Sequence, residues 1–413
     1  MTHNSQSPYV SPARAALAVI AAALGFFVDA YDLILFSIVR VQSLTGLGVP
    51  PDRLMAAGVD ILNAQLIGML VGGIAWGIWG DRFGRRAVLF GSIILYSVAT
   101  FANGWVHSLP TYTVCRVIAG LGLAGELGAG ITLVSELLPA RTRGYGTMIV
   151  AAVGVLGVVT ASLIGDVFPW RTAYFVGGIL GFCLLGLRLG VGESGMFRKV
   201  CETPVARGRF LALFTDRRRA LTYVCTIMVA LPIWYAIGIL ISFAPEIGLK
   251  LGLTEAPKTP RAVLFFYLGL TLGDLSSGFI SQRLHTRKKV IFGFLIMTTL
   301  AGAAYFAVGG RSLVTFYAVC GLLGWTSGYW AVFLTTAAEQ FGTNIRATVA
   351  VTAPNFVRGL MTPLTLAFKH LAPTHGTLVV AAGLGALVAA VAFLALTQLT
   401  ETYGRDLDYV ESL

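Results

Sequence analysis

From Met1 to Leu413 the sequence alternates between apolar runs of about 20 residues, long enough to cross a bilayer as helices, and short polar segments. The runs predict membrane spans at 16–39, 59–79, 87–106, 111–136, 145–168, 172–190, 221–247, 261–281, 289–308, 313–340, 347–369 and 377–399. Those are twelve helices, and no polar block between them is long enough for a soluble domain. The longest polar stretch, Val191 to Ala220, holds Arg198, Lys199, Glu202, Arg207, Arg209, Asp216, Arg217, Arg218 and Arg219 and reads as a cytoplasmic linker. It divides the helices six and six, giving an N-terminal bundle over 1–190, a linker over 191–220 and a C-terminal bundle with a short tail over 221–413. Met1 to Ala15 shows no cleavable-signal pattern, and the run that follows is long enough to remain as the first helix.

Composition fixes the solvent of these helices. With 56% hydrophobic residues, 12% charged residues and a mean hydropathy of +0.79, the 413-residue chain cannot be a soluble globule. The net charge of +11 raises nucleic acid as a partner, so its distribution decides. With the N-terminus placed in the cytoplasm, nineteen Lys and Arg fall in inner loops against eight in outer ones. That asymmetry satisfies the positive-inside rule, places both termini in the cytoplasm of a cell inner (plasma) membrane protein, and leaves no need for nucleic acid. Cys115, Cys183, Cys225 and Cys320 sit in apolar runs and Cys201 in a basic loop, so neither a disulfide framework nor a metal-ligand spacing emerges. No metal or cofactor is expected; the expected partners are a small-molecule substrate, protons and the lipid bilayer, with the protein as a monomer.

The two halves also repeat. Glu136 and Arg143 in SELLPARTRG recur as Glu339 and Arg346 in AEQFGTNIRA, and GDRFGRRAVL at Gly80 matches SQRLHTRKKV at Ser281 at nearly the same offset. Gly80-Asp81-Arg82-Phe83-Gly84-Arg85-Arg86 after the second helix resembles the signature loop of the major facilitator superfamily. Arg116 with Gly120, Gly122 and Gly125 at the opening of helix four, Glu136 to Gly144 at its close, Trp170-Arg171, Glu193-Ser194 and Glu401-Thr402-Tyr403-Gly404-Arg405 are similar to other signatures of that family. The resemblance implies an all-α membrane fold of two pseudo-symmetric six-helix bundles around a central cavity, working by alternating access. Within the family, Asp29-Ala30-Tyr31-Asp32 is similar to phosphate:proton symporters, and AGELGAG at Ala124 to metabolite:proton and organic-anion symporters. Helix five lacks the Gly-Pro element of drug antiporters. In the second repeat Gln282 stands in place of Asp81 and His285 in place of Gly84, which weakens that loop as a latch.

Charge at membrane depth costs roughly 2.5 to 3.5 kcal/mol on insertion scales, so every such residue is a functional candidate. Five stand out: Asp29 and Asp32 in helix one, Glu126 in helix four, Asp274 in helix eight and Arg358 in helix eleven. Asp29 and Asp32, three residues apart, share a helix face and are expected to titrate together, holding a proton for coupling; Glu126 is the third candidate. The alternative for each is a structural pairing with a cavity base. Arg358 offers a planar fork for a carboxylate or phosphate and predicts an anionic substrate, unless it only closes an ion pair between the halves. Asn355 lies on the same face, with Pro354 and Pro363 nearby to loosen the helix. Trp234, Tyr235, Trp325, Tyr329 and Trp330 are candidates for an aromatic wall, or for interhelical packing, and Tyr31, which corresponds roughly to Tyr235 by the repeat offset, is a candidate substrate contact; Gln65 and Asn63 are candidate polar contacts or interhelical hydrogen bonds. Asp274 reads equally as structural partner or substrate contact. The family uses Asp81, Arg85, Glu136 and Arg143 as an inner gate, with Arg283, Glu339 and Arg346 as its weaker counterpart.

An enzyme is not expected, because no nucleophile, metal set or phosphate-cradling loop is present. The reading reached is a proton-coupled symporter of a small anionic metabolite, a carboxylate, phosphate or organic phosphate. An uncoupled exchanger or facilitator, or a drug:proton antiporter of the same fold, is the alternative.

Overall fold

The computed structural model describes residues 12–83, 85–125, 140–189 and 210–404. The N-terminal half contributes α1 (Pro12–Gly46), α2 (Leu54–Phe83), α3 (Arg85–Asn103), α4 (Leu109–Leu123), α5 (Ala140–Val167) and α6 (Trp170–Leu189). In the C-terminal half, α7 runs through four consecutive segments (Arg217–Val229, Leu231–Tyr235, Ala236–Ile241 and Ala244–Lys250). It is followed by α8 (Thr259–Arg283), α9 (Lys288–Val308), α10 in two segments (Leu313–Ser327 and Trp330–Glu339), α11 in two segments (Thr343–Gly359 and Met361–His375) and α12 (Thr377–Gln398). Among the described residues, nine stretches are long and apolar enough to cross a membrane. The protein is an all-α, multi-pass membrane protein. Several helices outrun their apolar cores because polar ends continue the helix: α1 carries Arg40 and Ser43 past the expected end at residue 39.

Within the N-terminal half α1 packs on α5 and α6, α2 on α4, and α3 on α4 and α6; in the C-terminal half α8 and α9 pack on α10, and α12 on α7, α9 and α11. Two seams join the halves, α2 with α11 and α5 with α8. The repeat exchanges α2 with α8 and α5 with α11, so these seams are one interface used twice. A second repeated device holds each half together. An added Cβ at Gly68, Gly72 or Gly120 would stand 2.2–2.4 Å from a carbonyl oxygen across the α2–α4 contact. At Gly269, Gly273 and Gly324 it would stand 1.9–2.1 Å from one across α8–α10. Gly68 and Gly269, like Gly72 and Gly273, are 201 residues apart. In lipid, where apolar surface gives helices no reason to prefer each other, such close backbone approach is a main source of association.

One face of the molecule gathers the ends of α2, α8, α10 and α12 and the starts of α9 and α11, with the arginine-rich loops. On the opposite face lie the ends of α1, α5, α7 and α11 and the starts of α2 and α8. The linker expected over 191–220 falls partly outside the described residues.

The glycine seam is testable by contrast. Gly324→Ala forces a methyl against the Phe266 backbone, whereas Gly383 in α12 has nothing within 4 Å. Thermal unfolding in detergent should show Gly324→Ala losing about 1–3 kcal/mol of stability from overpacking, with Gly383→Ala unchanged or slightly more stable. Equal behaviour of the two variants would refute the seam.

Candidate functional site

Three helices of the C-terminal half are interrupted at mid-membrane. In α7, Pro232 has no N–H for the Met228 carbonyl, and the chain re-forms through a short helix and a widened π-type turn, Ala236–Ile241. In α10 the helix stops at Ser327, turns through Gly328 and Tyr329, and restarts at Trp330. In α11, Pro363 has no N–H for the Gly359 carbonyl, and the first segment ends one residue after Arg358. Irregular backbone at this depth is tolerated where protein buries it or a cavity lines it. The interruptions converge on one site.

At its centre is Arg358, only 4% exposed. Its guanidinium lies 5.1 Å from the Trp234 ring centroid, and one NH2 group donates to Asn355 Oδ1 at 3.3 Å. Its Nε has no partner, and among the described residues no carboxylate lies at ion-pair distance. Asp29 and Tyr267 reach it only through longer-range electrostatics. Trp234 meets Trp330 edge-on at 6.1 Å, and Trp330 meets Phe333 at 5.0 Å. Two of the aromatic-wall candidates, Trp234 and Trp330, thus lie together beside Arg358, with Phe333 next to Trp330. Asn355 spans the halves: its Nδ2 donates to the Ala124 carbonyl of α4 at 3.1 Å while its Oδ1 receives Arg358.

A second buried cation behaves differently. Arg116, inside α4 rather than at its opening, donates to Asp32 Oδ1 at 3.2 Å and to Thr100 at 3.2 Å, and Thr100 donates to Asp32 Oδ2 at 2.6 Å. The Tyr174 ring lies 4.8 Å from the guanidinium. Asp29 and Asp32 therefore do not form the mutual pair expected of them: Asp32 turns to Arg116 within its own half, and Asp29 acts across to Arg358.

The polar groups of Tyr31, Tyr235, Tyr329 and Trp325 are engaged by neighbouring helices. Tyr31 donates to the Ala173 carbonyl of α6, Tyr235 to Ala381 of α12 and Tyr329 to Val229 of α7, so each hydroxyl is spent on a backbone carbonyl. Trp325 is 38% exposed on the periphery and donates to Ser276. Gln65 is an interhelical bond, donating to Leu33 of α1, and Asn63 accepts from Thr365 of α11 at 2.7 Å. Glu126 and Glu136, and the side chains of Asp81, Arg85 and Arg143, lie outside the described residues.

On the arginine-rich face Glu339 pairs with Arg287 at 3.5 Å and accepts from Thr402 at 2.7 Å. Arg283 instead lies over Phe279, and Arg346 donates to the Ala338 carbonyl. Arg287, not Arg283, is the partner of Glu339, because Arg283 still belongs to α8 while Arg287 begins the next turn. Beside them Glu401 accepts from the Thr286 hydroxyl and from the backbone N–H groups of Arg287, Lys288, Thr402 and Tyr403, tying the chain after α12 to the start of α9. Partial burial works to raise this carboxyl, but the Thr286 hydroxyl and the N–H donors outweigh it and hold it down at about 2, against 4.5 normally. A depressed carboxylate contributes stability above its unfolded value and loses it as pH falls through the folded one. Glu401→Gln should therefore loosen this tie at pH 7, and its difference from the native protein in hydrogen exchange at the α9 start should shrink from pH 4.5 towards 2.

On the opposite face three charge pairs cross between the halves: Arg40 with Glu246 at 2.7 Å, Asp60 with Lys369 at 2.5 Å, and Asp166 with Arg261 at 3.0 Å, Lys258 standing 3.8 Å from Asp166. Asp60 and Arg261 are 201 residues apart and Asp166 and Lys369 are 203 apart, the offsets of the repeat. At these equivalent positions the N-terminal half supplies the acids and the C-terminal half the bases. Arg40 is sealed further by the Ser242 carbonyl and the Phe243 ring. The sequence reading missed these residues and Arg116; charge complementarity at the repeat offset was the signal.

A polytopic helical protein with interrupted helices meeting a buried cation between two repeated halves, and with charge pairs closing one face, is a membrane carrier by class. The pattern of the Major Facilitator Superfamily matches residues 15–365, and the chain belongs to that family. It is 27% identical to the niacin transporter of Acinetobacter baylyi, covering 85% of this chain and 86% of that one. It is 28% identical to the 3-(3-hydroxy-phenyl)propionate transporter of Escherichia coli (80% and 82% covered) and 26% identical to the gentisate transporter of Corynebacterium glutamicum (92% and 87%). In fold it is similar to a D-xylose-proton symporter, with a TM-score of 0.70 at 17% identity over 95% of this chain and 99% of the other. The protein is a transporter, not an enzyme.

The charge pairs make a direct prediction. Asp166→Lys should favour the state open on this face; an exposed pair is worth about 0.2–1 kcal/mol, so the shift should be about 1.4- to 5-fold. Cysteine labelling from that side should read it, and the exchange Asp166→Lys with Arg261→Asp should restore the native pattern. A double variant labelled like the single one would exclude a gate of paired charges.

Proposed function

We propose that the protein is a proton-coupled symporter of small aromatic monocarboxylates, with its arginine-rich face towards the cytoplasm of the plasma membrane. The observation that carries this reading is Arg358: buried at the junction of the halves, with no carboxylate at ion-pair distance among the described residues, and flanked by Trp234. A guanidinium in that setting suits an anion, and its fork fits a carboxylate in two-point contact. Trp234, Trp330 and Phe333 supply the apolar surface for a ring. Niacin, hydroxyphenylpropionate and gentisate, named for three of the relatives, are aromatic acids, and another relative is named for the ringless cis,cis-muconate; the shared carboxylate supports that group over phosphate.

Coupling follows from the two acids of α1. An anion at Arg358 lies within the field of Asp29, and a carboxylate there opposes its binding in a low dielectric. Protonation of Asp29 removes the repulsion, so proton and anion bind together, and the loaded site carries no more net charge than the empty one. Asp32 is less suited to that part, because neutralising it strands the fully buried Arg116 without a counter-ion. Asn355 carries the event across the interface, since the amide that receives Arg358 also holds α11 to α4.

Uptake of benzoate into proteoliposomes tests this. Arg358→Ala should abolish specific binding. Asp29→Asn should keep counterflow at equal pH yet no longer accumulate benzoate on an inward proton gradient. Asp32→Asn should lower stability by about 3–5 kcal/mol through the stranded Arg116. A best substrate that is neutral or cationic, or gradient-driven accumulation by Asp29→Asn, rules the mechanism out.

A further inference from the structure

The interruption of α10 exposes a helix start in the middle of the membrane, and the residue that satisfies it comes from another helix. The segment Trp330–Glu339 begins with N–H groups that have no acceptor within their own helix, and its N-cap position, Tyr329, provides no side-chain cap. Asp274 of α8 provides one in its place. Its Oδ1 accepts from the Ala331 N–H at 3.1 Å. The approach is possible because Gly273 and Gly328 bring the two backbones into contact: a Cβ on Gly328 would stand 2.3 Å from the Gly273 Cα.

Asp274 is 1% exposed, its Oδ2 has no hydrogen-bond partner, and among the described residues no cation lies at ion-pair distance. A carboxyl kept at this depth without a cation is costly, so the segment it caps has to matter. That segment opens with Trp330, which stands edge-on to Trp234, the ring beneath Arg358. Phe333, one turn on, completes the wall. The carboxyl thus fixes where the second half of α10 starts, and with it the distance between Trp330 and Trp234.

We propose that Asp274 is a positioning residue that sets this aromatic wall and so determines the preference for ring-bearing over ringless carboxylates. It touches no substrate; it acts through Trp330. The inference rests on the reading of Arg358 as the carboxylate anchor.

The test compares benzoate with hexanoate for the native protein, Asp274→Ala and Asp274→Asn in proteoliposomes, alongside hydrogen exchange of the ligand-free proteins over the start of the second α10 segment. Asparagine keeps a carbonyl acceptor; alanine removes it. Asp274→Ala should raise KM for benzoate roughly tenfold, the equivalent of one lost charge-assisted hydrogen bond, while hexanoate changes less than about twofold and kcat for both is little altered. Exchange at Ala331 should quicken in the same variant, and Asp274→Asn should stay close to the native protein in both readouts. If Asp274→Ala weakens both acids alike or neither, the positioning role is overturned. It is also overturned if Asp274→Asn keeps the benzoate preference but abolishes gradient-driven uptake, because Asp274 would then be a proton carrier. Arg358→Ala separates the two readings: full benzoate binding by that variant defeats the anchor, whereas the exchange result at Ala331 stands or falls without any substrate.

Discussion

A guanidinium in lipid has to be compensated, and two buried arginines of this protein, Arg116 and Arg358, meet that requirement in opposite ways. Arg116 is closed: Asp32, Thr100 and the Tyr174 ring surround it inside one half. Arg358, among the described residues, has one amide contact, one aromatic face and a carboxylate that reaches it only at longer range. The first arrangement is a structural link between α1 and α4. The second leaves a charge that the proposed anionic substrate would compensate.

The backbone around Arg358 follows from the same requirement. An uninterrupted helix would hold the side chain in a single register; interruptions in α7, α10 and α11 place Trp234, Trp330 and Arg358 at helix ends, where small rotations re-aim them. Stiffness is kept elsewhere, in the glycine seams of α2–α4 and α8–α10. Two of the charge pairs on the opposite face, Asp60–Lys369 and Asp166–Arg261, are wet, so each can break and re-form during a cycle without the penalty of a buried pair; Arg40, sealed against Glu246, is the buried exception. Asn355 lies between these systems, one bond to the anchor and one to the other half.

Much of this was legible in the sequence. Length and hydropathy gave twelve spans, the duplicated motifs gave two halves, and a lone arginine between two prolines pointed to the region where the proposed anion site lies. Asn355 followed from its spacing on the same helix face, and Trp234 from its place among the aromatic residues of the C-terminal half. What was not legible has a common cause. For Tyr31, Tyr235 and Tyr329 the aromatic ring left substrate contact and interhelical packing both open, because a buried tyrosine can discharge its hydroxyl on a backbone carbonyl in any neighbouring helix, and the sequence does not say which way it turns. Asp29 and Asp32 share a helix face by spacing, but a rotation of about 60° over three residues was enough to give them different partners. Arg116 stood out in the sequence only as part of a helix-opening signature; its pairing with Asp32 links α4 to α1 across 84 residues and is set by the fold. The capping of α10 by Asp274 could not be read from α10, since both ends of that bond are far apart in sequence.

The central claim is that anion and proton bind together because both act at Arg358 and Asp29. Proton uptake on addition of benzoate to the purified protein in weakly buffered solution, followed with a pH indicator, measures that linkage without transport. Near neutral pH the native protein should take up about one proton per benzoate bound, and Asp29→Asn none. Benzoate binding by the native protein without proton uptake, or equal uptake by Asp29→Asn, contradicts it.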